Sequence, residues 1–315
     1  MLTPDSSEEL LQKGRKCFAQ EDYVQAKNYA EKLDLSEPIK DALQEFSLEG
    51  KLLLGCIAIK EQEYELAMTK LVQAKYLSKK TQQETLYALS VLHIGILYTQ
   101  VTSYSNALVN FEYIDKNYNF LLQKPIYQYL CYTAWGRALY YTNQLTEAED
   151  YFNTLLASAN KNQDKKALII SMAYLGNIQT SQKNFKKALL YAKKTNNLIE
   201  QIGTDVDGLQ VNLINLGNIH YQLGKYSEAV KLTSRGITAA KRLKDELSEI
   251  KGYQVMSYIF QKQKDYKNAL LYQTIYSKFF EDFFVRNNHQ KLREIEHQAI
   301  IQKLEDKVKR IENLL

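Results

Sequence analysis

Apolar residues recur every three or four positions through most of the chain, which is the spacing of one face of an α-helix. Leu213, Leu216 and Leu223 show this spacing. The full sequence has only three prolines and 12 glycines in 315 residues, so it contains few residues that interrupt a helix. The pattern therefore predicts a mostly helical protein.

A second pattern with a longer period lies on top of the helical one. An aromatic residue or Leu stands three residues before an Ala, and a small residue stands twelve residues before the same Ala. The alanines are Ala26, Ala67, Ala107, Ala148, Ala188, Ala229 and Ala269, and the small residues are Gly14, Gly55, Gly95, Gly136, Gly176, Gly217 and Ser257. The spacing alternates between 41 and 40 residues, which indicates seven copies of one structural unit.

The residue types indicate what each unit looks like. A Gly or Ser inside a helix costs up to about 1 kcal/mol relative to Ala, so seven copies at one phase need a structural reason. Close approach of an adjacent helix supplies that reason. Each unit is therefore predicted to be a helical hairpin, and stacking of seven hairpins buries one continuous core.

A small residue, an aromatic residue and Ala at relative positions 8, 17 and 20 resemble the tetratricopeptide (TPR) motif over about residues 8–277. The units of 40 or 41 residues exceed the usual TPR length of about 34 and match the period of HEAT and armadillo repeats. The internal pattern favours TPR, and the proline usual in HEAT units is missing. The long units resemble those of kinesin light chains and bacterial peptide-pheromone receptors.

The resemblance implies an all-α fold, a right-handed TPR superhelix of seven helical hairpins over residues 1–277. Residues 278–315 are predicted to form a long C-terminal capping helix. Phe279, Phe280, Phe283 and Phe284 are expected to cover the last repeat. Ile301, Leu304, Val308, Ile311 and Leu315 then keep a spacing of three or four. This segment either folds back on the repeats or forms a short coiled coil, which would make a homodimer.

Charge and cysteine content limit the partners and the cellular compartment that we expect. The net charge of +5 is small for the length and the lysine pairs are scattered, so no nucleic-acid partner is expected. Residues 85–111 carry no charge, but their dense apolar part, 86–98, is shorter than the roughly 20 residues of a membrane span. It is read as a buried helix, and no membrane partner is expected. Cys17, Cys56 and Cys131 and the lack of a secretory signal favour the cytoplasm.

Little in the sequence points to catalysis. The four histidines do not show metal-ligand spacing with Cys or acidic residues, so no metal or cofactor is expected. His220 is interpreted as a hydrogen-bonded core histidine. The segment 217–225 fails as a phosphate loop, because its glycines are wrongly spaced and Lys225 is followed by Tyr226. The chain is therefore not expected to be an enzyme.

The TPR resemblance implies that the first helix of each hairpin lines a concave inner surface, with the residue after the small position pointing inwards. That row is Arg15, Cys56, Ile96, Arg137, Asn177, Asn218 and Tyr258. The candidate peptide-binding residues are Arg137, Tyr140, Tyr141, Asn177, Thr180, Asn218, Tyr221 and Gln222. Amide and hydroxyl groups can bind the backbone of an extended peptide, and an Arg can bind a carboxylate.

Two functions follow from this reading. The first is a non-enzymatic scaffold that binds a protein or peptide ligand in the concave groove. The second is a sensory or regulatory input domain of a bacterial signalling protein, whose C-terminal helix relays to an output domain or a dimer partner.

Overall fold

The computed structural model describes residues 4–34, 41–202, 208–283 and 285. Within these ranges the chain is helical and contains no β-strand, which confirms the predicted all-α class. It divides into two compact units, Met1–Gln144 and Leu145–Leu315, called here the N-terminal and C-terminal units.

The N-terminal unit contains three helical hairpins and one further helix. The helices are α1 (Pro4–Ala19), α2 (Tyr23–Leu33), α3 (Asp41–Lys60), α4 (Tyr64–Lys80), α5 (Glu84–Gln100), α6 (Tyr104–Tyr118) and α7 (Pro125–Tyr141), with a 3₁₀ turn at Asn119–Gln123 before α7. Consecutive helices pack against each other, and α3 also packs against α1 and α5. The uncharged stretch forms α5, where most side chains from Leu86 to Thr99 are buried, so the prediction of a core helix is confirmed.

The C-terminal unit begins with α8 and continues with three hairpins. Its helices are α8 (Leu145–Asn162), α9 (Lys165–Ser181), α10 (Phe185–Ile202), α11 (Leu209–Gln222), α12 (Tyr226–Arg242), α13 (Glu246–Lys262) and α14 (266–283). The helix α11 packs against its hairpin partner α12 and against α9 and α13. The helices α7 and α8 of the predicted fourth repeat thus belong to different units.

The repeated alanines and several of the repeated glycines have the packing role that the sequence predicts. Six of the seven alanines are completely buried, and Ala269 is 9% exposed. A Cβ atom built on Gly55 would lie 2.7 Å from Leu71 of α4, and one on Gly95 would lie 2.7 Å from Phe111 of α6. The small residue of helix A therefore admits helix B of the same hairpin, where "helix A" and "helix B" denote the first and second helix of a repeat.

The seven turns between helix A and helix B share one backbone geometry. The residue five positions before each repeated alanine has φ between 61° and 74°, the left-handed region. These residues are Glu21, Gln62, Thr102, Asn143, Lys183, Gly224 and Lys264. The next N–H donates to the carbonyl five residues earlier, as from Asp22 to Cys17 at 2.9 Å and from Asp265 to Phe260 at 3.0 Å. This is the Schellman arrangement that satisfies the end of a helix.

The end of the described chain bears on the predicted C-terminal helix. The helix α14 runs without a break through residues 277 and 278, where the sequence suggested a boundary. The Phe279 ring packs edge-on against Tyr253 of α13, with the ring centroids 5.6 Å apart. The amphipathic segment 301–315, and with it the predicted coiled coil and homodimer, lies outside the described residues.

Candidate functional site

Three predicted site residues of the N-terminal unit lie together at the end of α7. The rings of Tyr140 and Tyr141 meet at 74° with centroids 5.2 Å apart, and Tyr141 is 53% exposed. Tyr104, at the start of α6, stacks on Tyr141 with centroids 4.9 Å apart and an angle of 11°. Burial raises the pKa of Tyr104, and the Arg137 guanidinium beside its hydroxyl acts in the opposite direction. The cluster therefore presents aromatic faces next to a cation.

Tyr104 is a residue whose role the sequence did not reveal. It is the aromatic residue of the third repeat motif, and its ring supports Tyr141 of the following helix A. Stacking of this kind is worth roughly 0.5–1.5 kcal/mol beyond area burial, so it holds the exposed Tyr141 ring in a defined position.

The other five predicted residues lie on two adjacent helices of the C-terminal unit. Asn177 and Thr180 lie on α9, and Asn218, Tyr221 and Gln222 lie on α11. Gln222 is exposed and the other four are half-buried, so each retains accessible surface. Together with the exposed Tyr258 of α13, they form what we call the A-helix strip of the C-terminal unit. The rings of Tyr221 and Tyr258 lie 6.5 Å apart, which joins α11 to α13 along this strip.

The polar groups of the strip differ in whether they already form hydrogen bonds within the protein. The Thr180 hydroxyl donates to the carbonyl of Gly176 at 2.8 Å, so toward a ligand it can only accept. Within the described ranges, the carboxamides of Asn177 and Asn218 make no hydrogen bond to other residues. An amide with a free donor and a free acceptor can pair with both groups of a peptide unit.

Three asparagines on α11 illustrate how position decides the role. Asn212 is buried and donates to the carbonyl of Ala192 at 3.1 Å, which fastens α11 to α10. Asn215 is 8% exposed and accepts from Lys251 of α13 at 3.0 Å. Asn218, one turn further along, belongs to the A-helix strip. The pair Asn215 and Lys251 was missed from the sequence, because neither follows a small position of the repeat.

The first members of the predicted inward row are less available to a ligand. The Arg15 guanidinium is paired with Glu49 of α3. Burial raises the pKa of the Cys56 thiol to about 12, although Lys60 acts against this. At neutral pH this thiol is protonated, so Cys56 is a poor nucleophile.

His93 is not part of that row. Burial, with Lys60 adding to it, lowers the pKa of His93 to about 4, so its imidazole is neutral at neutral pH.

His220 differs from its sequence interpretation. Its Nδ1 atom is buried and has no hydrogen-bond partner within the residues that the structure describes, so the prediction of a hydrogen-bonded histidine was wrong. Burial lowers the pKa of His220, while Glu228 acts in the opposite direction. The motif position predicted a packing side chain correctly, but it carries no information about a partner for the ring nitrogen.

None of the described helices combines the length and the apolar character needed to cross a bilayer. In the same part of the chain, no three His, Cys, Asp or Glu side chains come together as metal ligands.

Comparison with known proteins identifies the fold. No family model matches the chain, and no curated protein matches it. Among solved structures, the apo quorum sensor NprR from B. thuringiensis is similar, with a TM-score of 0.65, 13% identity and coverage of 89% of both chains. The Rap conjugation gene regulator of plasmid pLS20 has a TM-score of 0.59 and 16% identity, with 90% of this chain and 87% of that chain covered.

A third similar structure is a tetratricopeptide repeat protein from Parabacteroides merdae. Its TM-score is 0.54 and its identity 17%, with 87% of this chain and 93% of that chain covered. At these identities the likeness concerns the fold alone, and that fold is the TPR fold that the sequence motif predicted.

Proposed function

We propose that this chain is a non-enzymatic receptor that binds an extended peptide, or an extended tail of a partner protein, along its helix A surfaces. The observation that carries the proposal is the pair of uncommitted carboxamides, Asn177 and Asn218, at equivalent positions of adjacent repeats. An extended peptide must find partners for its backbone N–H and C=O groups, and regularly spaced amides supply them without reading the side chains.

The solved structures support this proposal by analogy. The Rap regulator of plasmid pLS20 was solved in complex with the Phr* peptide, and NprR with its cognate peptide NprX. This chain shares their fold over about nine-tenths of its length. The three cysteines are free, and we place the receptor in the reducing cytoplasm for that reason.

Capture of peptides by the immobilised protein tests the proposal. The probe is a pool of random heptapeptides, and the measured quantity is the amount retained. We expect the double variant Asn177→Ala, Asn218→Ala to retain at least tenfold less peptide than the wild type, and Arg137→Ala to reduce retention separately. The matched control is Asn153→Ala, Asn197→Ala, which changes two exposed asparagines on helices B.

Circular dichroism melting of each variant separates lost binding from lost folding. If the double variant melts like the wild type and retains the same amount of peptide, the Asn pair does not bind the ligand and the proposal fails.

A second candidate function is a sensory or regulatory input domain. It is favoured by the nature of two proteins of similar fold, a quorum sensor and a conjugation gene regulator. In this version, peptide binding changes how residues 278–315 engage a dimer partner or an output domain. Sedimentation of the chain with and without residues 285–315, each with and without peptide, tests it. A monomer in all four samples would contradict a dimerising relay.

A further inference from the structure

The helix α10 presents an apolar side chain between two pairs of lysines. Leu190 is 55% exposed. Lys186 and Lys187 precede it by four and three residues, and Lys193 and Lys194 follow it by three and four. Residues three or four apart are neighbours on a helix surface, and all four lysines are exposed. These five residues are called here the α10 patch.

The α10 patch faces away from the neighbouring helices of the C-terminal unit. The packed face of α10 consists of Ala188, Ala192, Thr195 and Ile199, and α10 packs against α9 and α11. Leu190 is two residues from Ala188 and two from Ala192, which is about 200° around the helix. The patch therefore lies on the opposite side of α10 from the helices that carry Asn177 and Asn218.

The four lysines have no counterion within the part of the chain that the structure describes. None of them forms an ion pair with a described residue. Glu200 is the single acidic residue in the sequence of α10, and its carboxylate accepts from the Asn196 side chain at 2.7 Å. The patch is therefore a concentration of positive charge.

Folding does not explain this arrangement. Lys186 and Lys187 lie in the first turn of α10, where the helix dipole disfavours cations. Like charges that are neighbours on a helix are also destabilising. Leu190 adds little to the core, because most of its surface is exposed. Residues that oppose the stability of their own helix are typical of a functional surface.

We propose that the α10 patch binds an acidic amphipathic helix of a partner protein. A protein interface commonly has an apolar centre and a polar rim, and Leu190 with its lysines has this arrangement. Carboxylates on the partner supply the charge that complements the lysines. The inference concerns a second surface and does not depend on the proposed peptide-binding function.

The spacing of the lysines favours a helix as the partner. Lys186 and Lys193 are seven residues apart, as are Lys187 and Lys194, which is about 10.5 Å along the helix axis. Acidic residues seven apart on a partner helix repeat at the same distance and share one face. An extended chain covers about 10 Å in three residues, but residues three apart point to opposite sides of it.

Other anionic surfaces complement the patch less well. The phosphates of a nucleic acid pair with lysines but offer no apolar contact to Leu190. The exposed large apolar residues of α10 are Leu190 and Ile202, so this helix lacks the exposed aromatic rings on which single-stranded bases stack. Membrane binding scales with buried apolar area, and one leucine provides little of it.

Binding of labelled synthetic helices, measured by fluorescence anisotropy, tests the proposal. The acidic helix has a central Leu with Glu three and four residues away on both sides, and a staple on its opposite face keeps it helical. The neutral helix has Gln at those four positions, and the basic helix has Lys. A further acidic helix has Ser in place of the central Leu.

The variants separate the patch from the overall charge. The quadruple variant is Lys186→Glu, Lys187→Glu, Lys193→Glu, Lys194→Glu, and a second variant is Leu190→Ser. The matched control makes the same change in net charge at exposed lysines outside α10, as Lys79→Glu, Lys80→Glu, Lys262→Glu, Lys264→Glu. Because all of these side chains are exposed, circular dichroism should show that each variant remains folded.

We expect the wild type and the control to bind the acidic helix at least tenfold more tightly than the neutral helix or the Ser helix. The quadruple variant should reverse this preference and bind the basic helix. Leu190→Ser should bind the acidic helix about tenfold more weakly, because it removes the apolar contact. The double variant Asn177→Ala, Asn218→Ala should bind the acidic helix like the wild type.

Several results would overturn the proposal. If the control loses binding as the quadruple variant does, the acidic helix responds to net charge and not to the patch. If Leu190→Ser binds like the wild type, or if the Asn double variant loses the acidic helix, the site is wrong. Duplex DNA and phosphatidylserine vesicles are measured in parallel. If either binds more tightly than the acidic helix and loses binding in the quadruple variant, the partner belongs to that class instead.

Discussion

Gly217 of α11 and Thr233 of α12 are in such close contact that there is no room for a side chain at position 217. A Cβ atom at position 217 would overlap the Thr233 hydroxyl, and it would lie 3.1 Å from the Thr233 backbone nitrogen and 3.2 Å from the Ala229 carbonyl oxygen. Backbone atoms cannot move aside as the end of a flexible side chain can. The equivalent Gly176 of α9 is less crowded, because its nearest neighbours are Tyr191 Cβ at 3.4 Å and the Ala188 carbonyl oxygen at 3.7 Å.

Replacing these two glycines should therefore have opposite effects. Gly217→Ala is expected to lower the free energy of unfolding by about 1–3 kcal/mol, the range for overpacking a core. Gly176→Ala should raise it by up to about 1 kcal/mol, because Ala favours the helix and ordinary contact distances accommodate its methyl group. Urea unfolding followed by circular dichroism measures both. Equal destabilisation of the two variants would contradict the difference in spacing.

The left-handed turns give a second pair of variants. Thr102 is a β-branched residue at φ 61°, and Gly224 occupies the equivalent turn with open space around its Cβ position. Thr102→Gly should raise the free energy of unfolding by about 0.5–1 kcal/mol, since the strain it relieves exceeds the added entropy of the unfolded chain. Gly224→Thr should lower it by about 1 kcal/mol. Urea unfolding followed by circular dichroism measures both effects. If Gly224→Thr raised the free energy of unfolding, a β-branched residue would not be strained in this left-handed turn, and the prediction would be refuted.

His93 predicts how stability depends on pH. Burial, helped by Lys60, lowers its pKa to about 4, against about 6.5 in an unfolded chain. The unfolded state therefore takes up a proton first as the pH falls, and the stabilisation present above about pH 6.5 is lost progressively down to about pH 4. Between pH 7 and pH 5 the loss from this residue should be about 2 kcal/mol.

The variant His93→Gln lacks the titrating group and serves as the comparison. Its free energy of unfolding should change less between pH 7 and pH 5 than that of the wild type. An NMR titration in which His93 becomes protonated near pH 6.5 in the folded protein would contradict the prediction.

Asn212 and Asn218 lie on the same helix and should respond oppositely in two assays. Asn212→Ala removes a buried hydrogen bond to Ala192 and should lower the free energy of unfolding by about 1–3 kcal/mol. Asn218→Ala removes no bond within the described part of the protein, so its effect on stability should stay within about 0.5 kcal/mol. Peptide retention should fall for Asn218→Ala. A stable Asn212→Ala variant that had lost retention would reverse the assigned roles.

The hairpins could be predicted from the sequence because the packing that forms them is local. Gly55 and Leu71, for example, are in contact within one repeat, so a fixed spacing of small and large residues encodes the contact. The left-handed conformation of the turns was not predicted from the sequence. Gly224 and Asn143 are residue types that favour it, but Glu21 and Thr102, at equivalent positions, are not, so the residue types of the seven turns share no common signal.

Contacts between repeats were the harder part of the candidate site. The sequence indicated which residues follow the small positions, and the structure leaves Asn177 and Asn218 accessible. The sequence did not indicate that Glu49 forms an ion pair with Arg15, or that Lys251 of the next repeat donates a hydrogen bond to Asn215. Such pairs depend on how far one helix is displaced along its neighbour, and no spacing within a single repeat records that displacement.

The shared turn between helix A and helix B has a kinetic consequence. Each turn closes over a few residues and brings together side chains that are near in sequence, so the average loop formed during folding is short. A chain built this way can begin to fold in any hairpin and extend to its neighbours, and its outermost hairpins open first. A ligand bound by several hairpins at once should therefore slow amide hydrogen exchange in all of them together.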